Sequence, residues 1–150
     1  MVSLKDQLNS DLRAALRSGD LARKTAIRLL LSAAHNAEIQ AGKPLDDQGI
    51  VAVIGREIRQ RRESIEEYGK AGRSDLVAKE RAELDVLSAY MPPQISRAEI
   101  VVAARSVIER VGAHGPADKG KVMPVIINEL RGKAEGSEIN AVVTELLAQV

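Results

Sequence analysis

The sequence predicts an all-α protein, and three observations carry that prediction. Helix-start signatures recur from end to end of the 150 residues: a Ser or Asp precedes an apolar-periodic run, often with an acid three residues on. No stretch alternates apolar and polar residues for long enough to make a strand. Aromatics are only 1% of the chain, Tyr68 and Tyr90 with no Phe or Trp. The core is therefore built from Leu, Ile, Val and Ala, which favours closely spaced helices over a sandwich of bulky strands.

Taken in order, Ser3 with Asp6 starts a first helix that carries Leu4, Leu8, Leu12 and Leu16 along one stripe until Gly19. Asp20 caps a second helix running to about Gln40. Its apolar positions, among them Ala26, Ile27, Leu30 and Ala34, cover more than half its circumference, so it should lie centrally among other helices. Asp46 or Asp47 opens a third helix that ends near Gly72, and Ser74 caps a fourth that stops before Pro92. The pair Pro92-Pro93 removes two backbone donors and disfavours helical geometry at Met91. Ser96 with Glu99 then forms a capping box. Three shorter helices follow, at about 97–111, 118–131 and 138–149, and Pro124 fits the middle one only if that helix starts near Gly120, putting the proline in its first turn. The expected organisation is an N-terminal four-helix bundle-like domain over 1–91, a Pro-rich linker over 92–96, and a smaller three-helix domain over 97–150.

Charge is nearly balanced, with 22 basic and 21 acidic residues and a pI near 8.0, below the range above about 9 that marks a basic nucleic-acid domain. Nucleic-acid binding would need locally clustered cations. The chain has no Cys, which excludes disulfides, thiolate zinc sites and cysteine nucleophiles. The stretch MVSLKDQLNS lacks a basic start followed by an apolar block, and no apolar run reaches about 18 residues. The expectation is a soluble cytoplasmic protein with no membrane partner.

Two charges fall inside apolar stripes. Arg61 interrupts Ile54, Ile58, Ile65 and Tyr68; Glu80 interrupts Val77, Leu84, Leu87 and Met91. In an antiparallel hairpin about Gly72 the two would meet as a structural ion pair, Arg61 with Glu80, that fixes orientation within the bundle. The remaining charges of REIRQRRESIEE stand four apart, Arg59 with Glu63 and Arg62 with Glu66, as on a solvated helix face.

A catalytic site is not visible. His35 and His114 are the only bases near neutral pH; His35 and Glu38 are spaced H-x-x-E, but the further carboxylates of a di-metal bundle are missing. There is no phosphate loop and no nucleophile motif. No catalytic residue, metal or cofactor is expected. With two tyrosines as the whole aromatic complement, RNA recognition would rest on phosphate and shape.

Several segments in register, SLKDQLNSDLRAALRSGD, RLLLSAAHNAEI, RQRRESIEEYGKAGRSDL, AELDVLSAYMPPQIS, GKVM and RGKAEG, resemble the GatB/YqeY-domain family, and within it the stand-alone YqeY-like proteins. The resemblance covers nearly the whole chain. It implies an all-helical two-part fold like the tail of the B subunit of the glutamine-dependent tRNA amidotransferase, a tail that contacts tRNA. The subunit's transamidation site lies in another domain that has no counterpart in these segments. Gly120 to Met123 keep the family's G-K-V-M, whereas residues 131–135 read R-G-K-A-E in place of K-G-R-A-D. Lysine at 133 lacks the planar fork of arginine, which weakens a phosphate role there. His35 stands where lysine is common, and Pro124 also departs from the pattern.

Within RGKAEG, Gly132 can end one helix in a left-handed turn and Gly136 can let the chain reverse before Ser137 caps the last helix. Lys119, Lys121, Arg131 and Lys133 would then form one nucleic-acid-binding corner for phosphate. The first expectation is a non-catalytic, tRNA-associated accessory protein. The alternatives are a helical interaction module with a translation-related partner, and carbon–nitrogen ligase activity with glutamine as amido donor as part of a complex.

Overall fold

The structure, a computed structural model, describes residues 2–150. Among them are seven α-helices, one short 3-10 turn and no strand. The all-α class follows from the sequence as expected. The contacts divide the chain into two compact units, Met1–Met91 and Pro92–Val150.

The first unit holds α1 (Leu4–Ser18), α2 (Leu21–Ala41), α3 (Asp47–Lys70) and α4 (Ser74–Ser88). Three of the four begin on the predicted caps: Ser3 accepts from the Asp6 N–H, Asp20 from Arg23 and Asp46 from Gly49. α1 ends at Gly19, whose φ of 74° lies where a side chain would be strained, which is why the stripe of leucines stops there. α4 departs from expectation. Ser74 is its first helical residue, the cap position belongs to Arg73, and no side chain caps the helix.

α2 packs against α1, α3 and α4, as its broad apolar surface requires. Leu8, Ile27, Leu30, Ile50, Ile54 and Leu87 are completely buried at the centre of this core. Removing one such side chain from water is worth about 1.5–3 kcal/mol.

Polar ties fix how the four helices meet. Glu38 on α2 accepts from the Leu45 N–H at 2.9 Å and from Lys5 Nζ at 3.0 Å, joining α1 to the loop before α3. The Leu45 N–H first, and then Lys5, hold its carboxyl below the usual carboxylate range. Beyond the end of α4, the Tyr90 hydroxyl donates to Asp11 on α1 at 2.5 Å. Burial, then that bond, push the phenol up to about 12.

Arg61 lies in the core at 6% exposure, and Glu83 beside it at 3%. The predicted partner is corrected. Arg61 Nη2 is 3.6 Å from Glu83 Oε1 and Nη1 is 3.8 Å from Glu57 Oε2, whereas Glu80 is half-buried and takes no part. The reason is the equal rise of two helices leaving one turn: Arg61 stands 11 residues before Gly72 and Glu83 stands 11 after, while Glu80 is one turn too close. Nη1 also donates to the Glu57 carbonyl at 3.3 Å, and Nε has no partner among the described residues.

The second unit holds α5 (Arg97–Val111), a 3-10 turn over Pro116–Asp118, α6 (Lys119–Glu129) and α7 (Gly136–Ala148). Ser96 caps α5 by accepting from Glu99. Ile100, Ala104, Val107, Val122, Ile126 and Val143 are fully buried in a core separate from the first. α6 starts at Lys119, beside the Gly120 that Pro124 requires, and the proline lies just past its first turn. Lacking an N–H, it cannot bond the Gly120 carbonyl four residues back, so α6 continues on its packing against α5 and α7.

Two outcomes are expected. Glu83→Ala strands a buried guanidinium and should cost about 3–5 kcal/mol in urea unfolding, whereas Glu80→Ala should stay within about 0.5 kcal/mol. Equal effects would displace Glu83 from this role. In a Tyr68→Phe background, ultraviolet titration should find the remaining phenol half-ionised near 12 rather than the ordinary 10 or so. Because the folded value is the higher one, this group stabilises the fold below about pH 10 and loses that contribution as pH rises towards about 12.

Candidate nucleic-acid interface

The second unit carries seven cations and seven carboxylates between Pro92 and Val150, so any attraction for anions comes from arrangement and not from net charge. Arg97 pairs with Glu145, and Arg110 with Glu129 at 2.7 Å, which takes two cations out of the field. Lys119 opens α6 half-buried, and Arg131 and Lys133 are exposed beyond its end. None of these three has a carboxylate partner among the described residues. Lys121 differs, with its Nζ 3.5 Å from Asp118 Oδ1.

Asp118 is a residue that sequence reasoning missed. Its Oδ2 accepts from the His114 N–H at 2.8 Å, closing the loop before α6. That N–H first, and Lys121 after it, keep the Asp118 carboxyl below its ordinary range. The available signal was an acid three residues before a lysine at a helix start.

The expected single corner is not formed. Lys121 and Arg131 are separated by ten residues, nearly all of them in α6. At 1.5 Å per residue this is about 15 Å along the axis, too far for one phosphate to meet both pairs. Punctuating glycines suggested a tight cluster; the helix between them acts as a spacer.

The turn after α6 follows its own logic. Gly132 adopts φ 77°, the left-handed conformation expected of it. Gly136 does not reverse the chain; it is the first residue of α7 with an ordinary negative φ, and Ser137 lies inside the helix instead of capping it. The cap position is Glu135, which makes no side-chain cap bond. The carbonyls of the turn point to the segment before α5. Gln94 Nε2 donates to the Gly132 carbonyl at 2.8 Å, and the Ile95 N–H donates to the Lys133 carbonyl at 3.0 Å. The stretch read as a linker is thus bonded to the turn, and Ile95 packs on the second core. Gln94 escaped the sequence because a polar residue after two prolines looks like ordinary loop.

Fold and site together define an all-helical protein whose second unit presents spaced cations around a backbone-clamped turn. The chain belongs to the YqeY-like protein family, whose profile matches residues 5–147. It is 38% identical over 113 residues to "Altered inheritance of mitochondria protein 41, mitochondrial" of Lachancea thermotolerans, covering 73% of this chain and 60% of that protein. Proteins of the same name are 33% identical in Pyrenophora tritici-repentis, over 88% of this chain and 74% of the relative, and 37% identical in Eremothecium gossypii, over 77% and 65%. The match to the Lachancea and Eremothecium proteins thus spans less than two thirds of their length.

These names correct the cytoplasmic expectation, since the relatives are named as mitochondrial proteins. The physical reason is that address information resides in segments separable from the fold, so balanced charge in a helical domain carries no compartment signal. Among the described residues no helix is long and apolar enough to cross a membrane.

Gly132→Ala should destabilise the protein by about 1–2 kcal/mol, the cost of a left-handed residue with a side chain. Gly136→Ala, at a helical position with open space around it, should be neutral or slightly stabilising. Thermal unfolding of the two variants measures the contrast.

Proposed function

We propose that this YqeY-like protein is a non-catalytic, tRNA-associated accessory protein that contacts the RNA backbone through its second unit. The observation that carries the proposal is the set Lys119, Arg131 and Lys133, cations at both ends of α6 with no carboxylate partner among the described residues. Phosphate oxygens can replace water around such cations without first breaking an ion pair. Lys121 contributes less, because Asp118 competes for it. The segment resemblance to an amidotransferase tail supplies the kind of RNA. The relatives' names make mitochondrial tRNA a probe to set beside bulk tRNA.

A second role is favoured by the turn between α1 and α2, where Leu16 and Leu21 are 48% and 70% exposed. Two large apolar side chains flanking one turn suit a protein partner, and such binding would tolerate salt.

Binding of purified tRNA across a salt series separates the two. Each phosphate contact should add roughly 0.7–0.9 to the slope of log affinity against log salt. Lys119→Ala with Lys121→Ala, and Arg131→Ala with Lys133→Ala, should each lower the slope, and the quadruple variant should lower it by their sum. An unchanged affinity in the quadruple variant removes the site.

A further inference from the structure

We infer that the cleft between α2 and α3 is a binding site for a free α-amino acid with a short polar side chain. The cleft is about 240 Å³ and is formed within the first unit. That is smaller than the roughly 300 Å³ at which drug-sized ligand pockets begin, so the occupant is a small metabolite and not a nucleotide.

Its lining is ordered by helix geometry. Residues 33, 36, 37 and 40 of α2 face residues 53, 56, 57 and 60 of α3, each set at the i, i+3, i+4, i+7 spacing of a single helix face. The apolar part consists of Ala33, Ala37 and Val53, side chains too short to fill the space between the helices. Around it stand three carboxamides, Asn36, Gln40 and Gln60, and one charge of each sign, Arg56 and Glu57. The side chains of Asn36, Gln40, Arg56 and Gln60 engage no other group among the described residues.

Glu57 makes the cleft more than a solvated groove. Its carboxylate pairs with the buried Arg61 through Oε2 at 3.8 Å, and among the described residues Oε1 has no partner. A fixed carboxylate receives an ammonium group without first losing side-chain freedom. Arg56, next in the chain, offers a guanidinium fork for a carboxylate. Arg56 and Glu57 both line the cleft, a cation for the carboxylate and an anion for the ammonium of an amino acid, and the carboxamides can donate to and accept from an amide or hydroxyl beyond it. The small apolar floor has room for one or two methylene groups.

The test is a titration of the full 15N-labelled chain with L-asparagine, L-serine and L-glutamine, followed by two-dimensional NMR. Saturable shifts confined to residues 33–40 and 53–60 are expected for at least one of them. Arg56→Ala, a change at an exposed side chain, should weaken binding by about tenfold or more, the weight of one charge-assisted hydrogen bond. The same loss is expected when the ligand's carboxylate is amidated or its amine acetylated. The absence of saturable shifts, shifts spread elsewhere, or equal binding by Arg56→Ala and by the capped ligands would each overturn the assignment.

Discussion

The burial of one guanidinium organises the first unit. Arg61 is 6% exposed, where an unpaired charge would be untenable, so α4 must bring Glu83 to it and α3 must turn Glu57 toward it. Apolar contacts are non-directional and by themselves specify the sliding position of α4 against α3 less sharply than a buried charge does. A charge buried with two acceptors does not tolerate a slide, and the register follows. The unpaired Arg61 Nε shows that specificity here was not bought with full hydrogen bonding. Glu57, which shares that contact, also lines the cleft facing α2.

The second unit is organised by backbone instead of charge. Its turn after α6 exposes two carbonyls in succession, and Gln94 with Ile95 takes both. A segment opened by two prolines has few donors to spare, and it places the ones it keeps where the left-handed Gly132 aims its acceptors. The cations on either side of that turn are then carried by a rigid frame. α6 separates Arg131 and Lys133 from Lys119 and Lys121 at its other end.

Membership of the YqeY-like family fits this construction, because the matched residues 5–147 run through both units and leave almost nothing outside. The relatives are longer than the matched region, which covers 60% of the Lachancea protein and 65% of the Eremothecium protein. The compartment was misjudged for a related reason: a domain's charge balance is shaped by solubility and packing, and neither depends on where the domain works.

Local chemistry decided what the chain could settle alone. The caps at Ser3, Asp20, Asp46 and Ser96, the break at Gly19, the left-handed Gly132 and the helical class all depend on residues within one turn of each other, where side chain and backbone meet whatever the rest of the molecule does. That Arg61 is buried was also readable, since helical periodicity puts it in an apolar stripe. Its partner was not, nor were the docking of Gln94 on Gly132, the competition of Asp118 for Lys121, and the distance between the two cation pairs. Each of these is fixed by where separate helices come to rest, and a sequence reports the face of each helix but not its sliding position against a neighbour. Only packing sets that coordinate, and here the buried charge and the clamped turn set it.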